Sequence, residues 1–516
     1  MRSKLALTLL VVAAACGPVE TTVTEGETLV VVDTDLPVPR IASRLRIDLY
    51  TDAGEWYASR DVSIARPTDW PTSFGLGAKE AETVGLVRLR AYPEGGVRDY
   101  RGERFEPRPP AGTGADALLP APVPPPTDKP RLLDETGKDV TPSSEPEPLL
   151  TVDRLIRVRA VPGVKKAVRV DLRGVCAGTM SDVTGRASCV DQENVRVPVV
   201  ELPFVDEATR SAPSRAGTFD PSTPCPGAPR AASTAADGTP LFDEQVCVPG
   251  ALFVFGSRDG VFGEAEDLPQ RLAVVDGMLV DRYEVTVGRY RRALAAGFQS
   301  PDATPTANDG AIPVDPTPYL DPKMCTWSTT PIGRETFPLS CISPAAAAAF
   351  CAFEGGELPS EAEWEYVALV AGRATRTRFP WGGDDDVAPS CDRATWGRGE
   401  VAFAGQKCAE KGDGFGPLTV DAHGGASGDR TPGLGLVGMA GSMLELTRDT
   451  FAPMTSTCWM ASSLRDPGCR ADASLARTVR GSCWRDNIAG LAGATRRKDI
   501  GAESSLGFRC IRRSGR

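Results

Sequence analysis

The sequence predicts a multidomain protein: an all-β, sandwich-like N-terminal region joined to an α+β C-terminal domain. Three observations carry this. The chain has 516 residues, too many for one hydrophobic core. In the first two hundred residues, apolar and polar residues alternate, as in Leu45-Arg46-Ile47-Asp48-Leu49, Val87-Arg88-Leu89-Arg90 and Leu155-Ile156-Arg157-Val158-Arg159. A period of two marks half-buried strands. Further on, GGELPSEAEWEY (residues 355–366) carries a turn and a capped helix. Gly355-Gly356 ends the alanine-rich helix before it. Ser360 takes the N-cap, Glu363 stands at the capping-box spacing, and Trp364, Val367 and Ala368 supply an apolar face.

At the N-terminus, Arg2 and Lys4 precede an apolar run, Leu5 to Ala15, too short to span a bilayer. Residues 1–15 read as an export leader. The run ends Ala13-Ala14-Ala15-Cys16. Small residues directly before a cysteine resemble the bacterial lipobox, although Ala13 stands where Leu is usual. That resemblance implies lipidation of Cys16 and a chain anchored to the membrane of the bacterial cell envelope, in the periplasm or at the cell surface. An ordinary secretory leader is the alternative, and it exports the chain as well. No later stretch is apolar for long enough to span a membrane.

After a short tether, residues 17–204 form the β-sandwich-like region, with Val168-Arg169-Val170-Asp171-Leu172-Arg173 as a further strand. Two separate small β-domains are the alternative. A Pro-rich insertion, residues 105–148, reads as an extended loop. Residues 205–244, rich in Ser, Thr, Ala, Pro and Gly, read as a linker, and the C-terminal domain occupies 245–516. The 53 Gly and 45 Pro of the chain favour turns over long helices.

Charge and histidine content exclude whole classes of function. The net charge is −10, from 58 basic and 68 acidic residues, with no basic block. A nucleic-acid partner is therefore not expected. The single histidine, His423, rules out a self-contained three-His zinc site or two-His iron site. In AHGGASG it reads as a surface-loop residue. The 14 cysteines agree with export to an oxidising compartment. Apart from Cys16, spacing pairs Cys176–Cys189, Cys225–Cys247, Cys325–Cys341, Cys391–Cys408 and Cys458–Cys469 across short loops.

Motifs in the C-terminal half then appear in a fixed order. They are VCVPGALFVFGS (246–257), Val280-Asp281-Arg282-Tyr283-Glu284-Val285-Thr286, PLSCISPAAAAAFC (338–351) running into GGELPSEAEWEY, and Phe379-Pro380-Trp381-Gly382. GLGLVGMAGSMLELTRD (433–449), Arg480-Gly481-Ser482-Cys483-Trp484 and Leu506-Gly507-Phe508-Arg509-Cys510 follow. Together they resemble the formylglycine-generating enzyme, or sulfatase-modifying factor, family over about residues 245–516. The resemblance implies a fold related to the C-type lectin fold and a disulfide Cys351–Cys510. Cys483 is then left unpaired, as a buried small residue where Ser is usual.

Catalytic members of that family are similar to copper oxidases whose two cysteines follow the "RGGSW" motif, at the second and seventh positions after its aromatic residue. Here the aromatic is Trp484 and those positions hold Asp486 and Leu491. Neither is a thiolate, the soft ligand that suits Cu(I), so copper is not expected and the domain reads as a non-catalytic relative. Cys483 is the one thiol that keeps a catalytic alternative open. Thiohistidine-forming sulfoxide synthases share the fold, but their chemistry needs three imidazoles.

The resemblance also implies structural Ca²⁺. One site would use Asp392, the carbonyl of Arg393, Asp413 and the carbonyl of Phe415, held by the Cys391–Cys408 loop; hard oxygen ligands suit Ca²⁺. A second would use Glu445 with carbonyls of Gly441 and Met443, its other ligand falling at Gly438, which has no side chain. Asp384-Asp385-Asp386 reads as a charged loop. The expected function is that of an envelope-anchored lipoprotein whose sulfatase-modifying-factor-type domain binds a protein or glycan ligand. The alternative is an oxidase that activates sulfatases by converting an active-site cysteine to formylglycine.

Overall fold

The structure, a computed structural model, describes residues 8–10, 27–78, 81–100, 129–256, 269–313, 321–373, 375–382, 388–399, 407–409, 414–470, 475–486, 491, 493, 495–499 and 501–513. The chain divides into two compact units: Met1–Arg108 with Pro122–Asp220, and Pro109–Ala121 with Pro221–Arg516.

Among the described residues, the regular structure of the first unit is β apart from α1 (Glu207–Arg210) and three short 3-10 turns. One sheet has the order β1-β5-β2-β10, built from β1 (Thr8–Leu10), β2 (Glu27–Thr34), β5 (Thr72–Gly77) and β10 (Lys166–Leu172). The other has the order β4-β3-β6-β9, from β3 (Arg44–Thr51), β4 (Trp56–Ser63), β6 (Thr83–Tyr92) and β9 (Val152–Ala160). Two short ribbons, β7 (Val97–Asp99) with β8 (Ser144–Pro146) and β11 (Ala187–Ser188) with β12 (Val197–Pro198), complete it. The alternating segments are strands β3, β6, β9 and β10. β1 falls within the expected leader; the rest of that leader and Cys16 lie outside the described residues.

Alternation correctly gives the strands, but much of the polar face of β3 and β6 does not meet water. Arg46, Asp48, Arg90 and Asp153 are buried. A buried charge must be paired, and these are. Arg90 donates to Asp48 at 2.6 Å and Arg88 to Asp153 at 2.6 Å. Part of the Pro-rich stretch helps to cover the network: Glu145 accepts from Arg98 at 2.8 Å and from Lys129 at 2.7 Å. Residues 129–148 are therefore ordered parts of this unit rather than free loop, and 101–128 lie outside the described residues.

The expected linker 205–244 is divided between the units. Val205 donates its N–H to the Ala167 carbonyl, and Ser214 and Arg215 donate to the buried carboxylate of Asp33. From Pro221 onward the chain belongs to the second unit. There Arg230 pairs with Glu354 and Asp281, and Ser233 donates to Asp243. Polar composition marks a segment with no core of its own; it says nothing of side-chain and backbone hydrogen bonds to a neighbouring core.

Among its described residues the second unit holds three sheets. The first has the order β13-β16-β21, from β13 (Gln245–Val248), β16 (Met278–Asp281) and β21 (Ile511–Arg513). β14 (Ala251–Phe255) pairs with β15 (Arg271–Val275). The third has the order β19-β18-β17-β20, from β17 (Leu444–Thr450), β18 (Arg477–Arg480), β19 (Arg496–Lys498) and β20 (Leu506–Gly507). The helices are α2 (Val287–Ala295), α3 (Pro344–Phe353), α4 (Glu361–Leu369) and α5 (Thr457–Met460).

α4 starts as the sequence requires. Ser360 Oγ accepts from the Glu363 N–H at 3.2 Å, and the Glu363 carboxylate accepts from the Ser360 N–H at 2.6 Å. Gly355, just after α3, has φ +78°, a conformation that favours glycine. All nine residues of α4 are buried, not only its apolar face. The six expected disulfides are present, Cys351–Cys510 among them, and Cys483 is free. No helix among the described residues is long and apolar enough to cross a membrane.

Candidate functional site

The turn after β18 carries the residues singled out by sequence. It is positioned from α4. Glu365 accepts from Arg480 Nη2 at 2.5 Å, and Glu361 accepts from Arg496 Nη2 at 2.9 Å and from Thr478 Oγ1 at 2.6 Å. These contacts fix β18 and β19 as they run together. Gly481 then has φ +77°, and a Cβ there would lie 3.2 Å from the Trp364 ring, so only glycine allows the strand to leave α4 at this angle. Beyond it, Ser482 donates its N–H to the Ala440 carbonyl and Trp484 to that of Ser442, at 3.0 and 2.7 Å. Trp484 packs among Met324, Phe415 and Met443, its indole N–H donating to the Ser504 carbonyl at 3.2 Å.

Asp486 and Leu491 are both placed, and neither stands open for chemistry. Asp486 Oδ2 accepts from Ser482 Oγ at 2.8 Å, from the Cys483 N–H at 3.2 Å and from Arg497 Nη1 at 2.5 Å. It caps the turn and balances one arginine. Leu491 is fully buried among Phe379, Trp381, Ala394, Trp396 and Ala440, and the Phe379 and Trp381 rings stack at 4.9 Å. Cys483 is buried, and burial followed by the nearby Asp486 carboxylate pushes its thiol up to about 12. A thiol held so high carries negligible thiolate near neutrality. Arg497 escaped the sequence reading. It lies eleven positions from Asp486, and only the β18–β19 pairing brings the two together.

The second calcium expectation meets a correction. Glu445 is buried, with Arg509 donating to its two oxygens at 2.6 and 2.7 Å and Trp364 Nε1 to one of them at 2.8 Å. A guanidinium already stands where a cation would, so Glu445 holds the scaffold rather than a metal. Beside it, Glu284 accepts from Ser442 Oγ and the Met443 N–H, both at 3.0 Å. Burial and the Glu445 carboxylate hold the Glu284 carboxyl well above its usual range.

At the first expected site, Asp392 is exposed, Cys391–Cys408 closes the loop, and Asp413 lies outside the described residues, as do Asp384, Asp385 and Asp386. Phe415 is buried, and the carbonyls flanking it, Gly414 and Gly416, accept from Arg398 at 3.0 and 2.9 Å. His423 is half-buried rather than a plain surface residue, its Nδ1 lying 3.1 Å from the Asp392 carbonyl. Burial lowers its pKa, partly offset by Asp392. Among the described residues no group of three or more His, Cys, Asp or Glu could hold a metal ion.

Comparison with known proteins bears on this unit. The formylglycine-generating enzyme of Mus musculus is 26% identical over 230 residues, 40% of this chain and 58% of that protein. The enzyme of Streptomyces coelicolor is 31% identical over 188 residues, 34% of this chain and 53% of that protein. The chain thus spans little more than half the length of these curated relatives. Among solved structures, PvdO from Pseudomonas aeruginosa overlaps 56% of this chain and 99% of its own, at 18% identity and a TM-score of 0.38. Treponema denticola variable protein 1 overlaps 55% and 99%, at 16% identity and a TM-score of 0.36. The family model for the sulfatase-modifying factor enzyme 1-like domain matches residues 231–514, more than half of the chain, and on that match the protein belongs to the sulfatase-modifying factor family.

Proposed function

We propose that this protein is an exported, envelope-anchored member of its family that binds a ligand or partner and does not oxidise thiols. One observation carries the reading. The two positions at which the resemblance places copper-binding cysteines are an aspartate tied to Arg497 and a leucine in an apolar core. Neither supplies a soft thiolate. The one free thiol among the described residues, Cys483, is buried and held protonated. Six disulfides fit an oxidising compartment, and anchoring rests on Cys16.

The test is direct. Purified protein is incubated with copper, dioxygen and a cysteine-containing sulfatase peptide, and aldehyde is measured by hydrazide capture. No aldehyde above background is expected. Aldehyde that disappears in Cys483→Ser would establish the oxidase alternative instead. For the anchor, Cys16→Ser is expected to move the protein from the membrane to the soluble fraction of the producing bacterium.

The proposal includes one structural Ca²⁺, held by Asp392, Asp413 and the carbonyls of Arg393 and Phe415. Its support is the Cys391–Cys408 disulfide beside Asp392 and the oxygen-only chemistry of the set. Chelation with EGTA is expected to lower the thermal midpoint of the wild type and to leave that of Asp392→Ala unchanged. Equal midpoints with and without EGTA in the wild type would remove the ion from the account.

A further inference from the structure

A groove of 820 Å³ runs beside α3, between that helix and residues 475–477. The volume falls within the range typical of ligand sites, ~300–1,000 Å³. Its floor is low: Ala345, Ala348 and Ala352 face outward from α3, and Gly356 continues the line. A polypeptide backbone can approach such a surface closely. α3 has ten residues, a length of about 15 Å, which an extended segment of about five residues matches.

Charge selects the ligand. Arg448, Arg470 and Arg477 line the groove. Glu357 serves three guanidiniums: Arg448 at 2.7 Å, Arg513 at 3.2 Å and Arg470 only at 3.9 Å. The Arg470 side chain is 62% exposed. The Arg477 guanidinium donates to the Arg448 carbonyl at 3.0 Å and has no carboxylate partner among the described residues. The groove's other acids keep their charge and are held by uncharged donors. Asp499 accepts from the N–H groups of Arg477 and Gly501, and Asp302 from Thr304 and Ser343. The guanidiniums of Arg470 and Arg477 are thus held closely by no carboxylate among the described residues, and their planar fork matches one.

We propose that this groove binds an extended acidic peptide segment, its backbone along the alanine face of α3 and its carboxylates on Arg470 and Arg477. The proposal rests on the reading of this domain as a binding module and gives that module a ligand class. A sulfated glycan would also meet guanidinium, but the small apolar floor suits a peptide backbone.

The experiment uses the full chain and a rhodamine-labelled Asp-Gly-Asp-Gly-Asp peptide, followed by fluorescence anisotropy, with the Asn counterpart and a heparin hexasaccharide as comparison arms. Saturable binding of the Asp peptide is expected, at least about fivefold tighter than the Asn peptide and weakening with salt. Arg470→Glu should weaken it at least about fivefold. Ala348→Trp, at an exposed position, should abolish it by filling the floor while leaving the unfolding midpoint unchanged. The proposal is overturned if the Asp and Asn peptides bind alike, if neither variant changes binding, or if only heparin binds. Aldehyde formation in the oxidase assay would sink the functional reading alone, and failure of peptide binding would sink the groove alone.

Discussion

Helix α4 and the turn after Trp484 both take charged residues out of water, but they do so with different redundancy. In α4, three carboxylates reach arginines on separate strands. Glu361 meets Arg496 on β19, Glu363 meets Arg448 on β17 and Arg513 on β21, and Glu365 meets Arg480 on β18. Each pair cross-links α4 to a different part of the unit. In the turn, Asp486 meets one partly exposed arginine, and Leu491 sits in one small aromatic cluster. The scaffold is over-determined and the turn is not. A lineage can therefore refill positions 486 and 491 and keep the fold, so membership of the family speaks for α4 before it speaks for chemistry.

The strongest way to break this contrast is at α4. Glu361→Ala leaves Arg496 buried without its carboxylate, and removing one partner of a buried pair typically costs about 3–5 kcal/mol. Urea unfolding measures it; a change under about 1 kcal/mol would mean that α4 is no hub. Next comes Leu491→Ala, expected to cost about 3 kcal/mol through lost burial and a cavity, with the fold retained in the circular dichroism spectrum.

Asp429 belongs to neither region; its carboxylate accepts from the N–H groups of Ala440 and Gly441, just before β17. Burial pushes its pKa up to about 6, opposed by those hydrogen bonds. The folded state therefore holds the proton more tightly than the unfolded chain. This contribution to stability is fully present below about pH 4 and is lost as pH rises through about 6. In Asp429→Asn that decline, on the order of 2–3 kcal/mol, should vanish from unfolding free energies measured between pH 4 and 7. The same slope in both proteins would contradict the assignment.

The smallest effect belongs to the turn. Arg497→Ala removes a partly exposed partner of Asp486 and should cost about 0.5–1 kcal/mol. Cys483 should stay unreactive towards Ellman's reagent in the native wild type and in this variant, and react only in denaturant. Rapid native labelling of the wild type would show the thiol to be accessible after all.

What sequence made legible follows the range of the interactions. The capping box was readable because Ser360 and Glu363 are three residues apart. Five disulfides were readable because each closes a short loop, whereas Cys351–Cys510, 159 residues apart, needed the family resemblance. The burial of Glu361 and Glu365 was not readable, because their partners lie 115 to 135 positions away. Arg46 and Asp48 misled for a related reason: an alternating strand looks the same whether its polar face meets water or guanidinium. Glu445, too, reads as a metal ligand until the chain brings Arg509 to it.

The sheet β13-β16-β21 has a consequence for how the protein is made. A chain emerging N-terminus first delivers β13 and β16 early, yet β16 waits for β21, 230 positions or more downstream in the pairs that join them. Until then one edge of β16 is an unpaired apolar template, the kind of surface that recruits wrong partners. Pairing over such a distance is also intrinsically slow. The C-terminal unit therefore closes only when nearly all of it has been delivered, and its yield should depend on whatever shields the nascent chain during that wait.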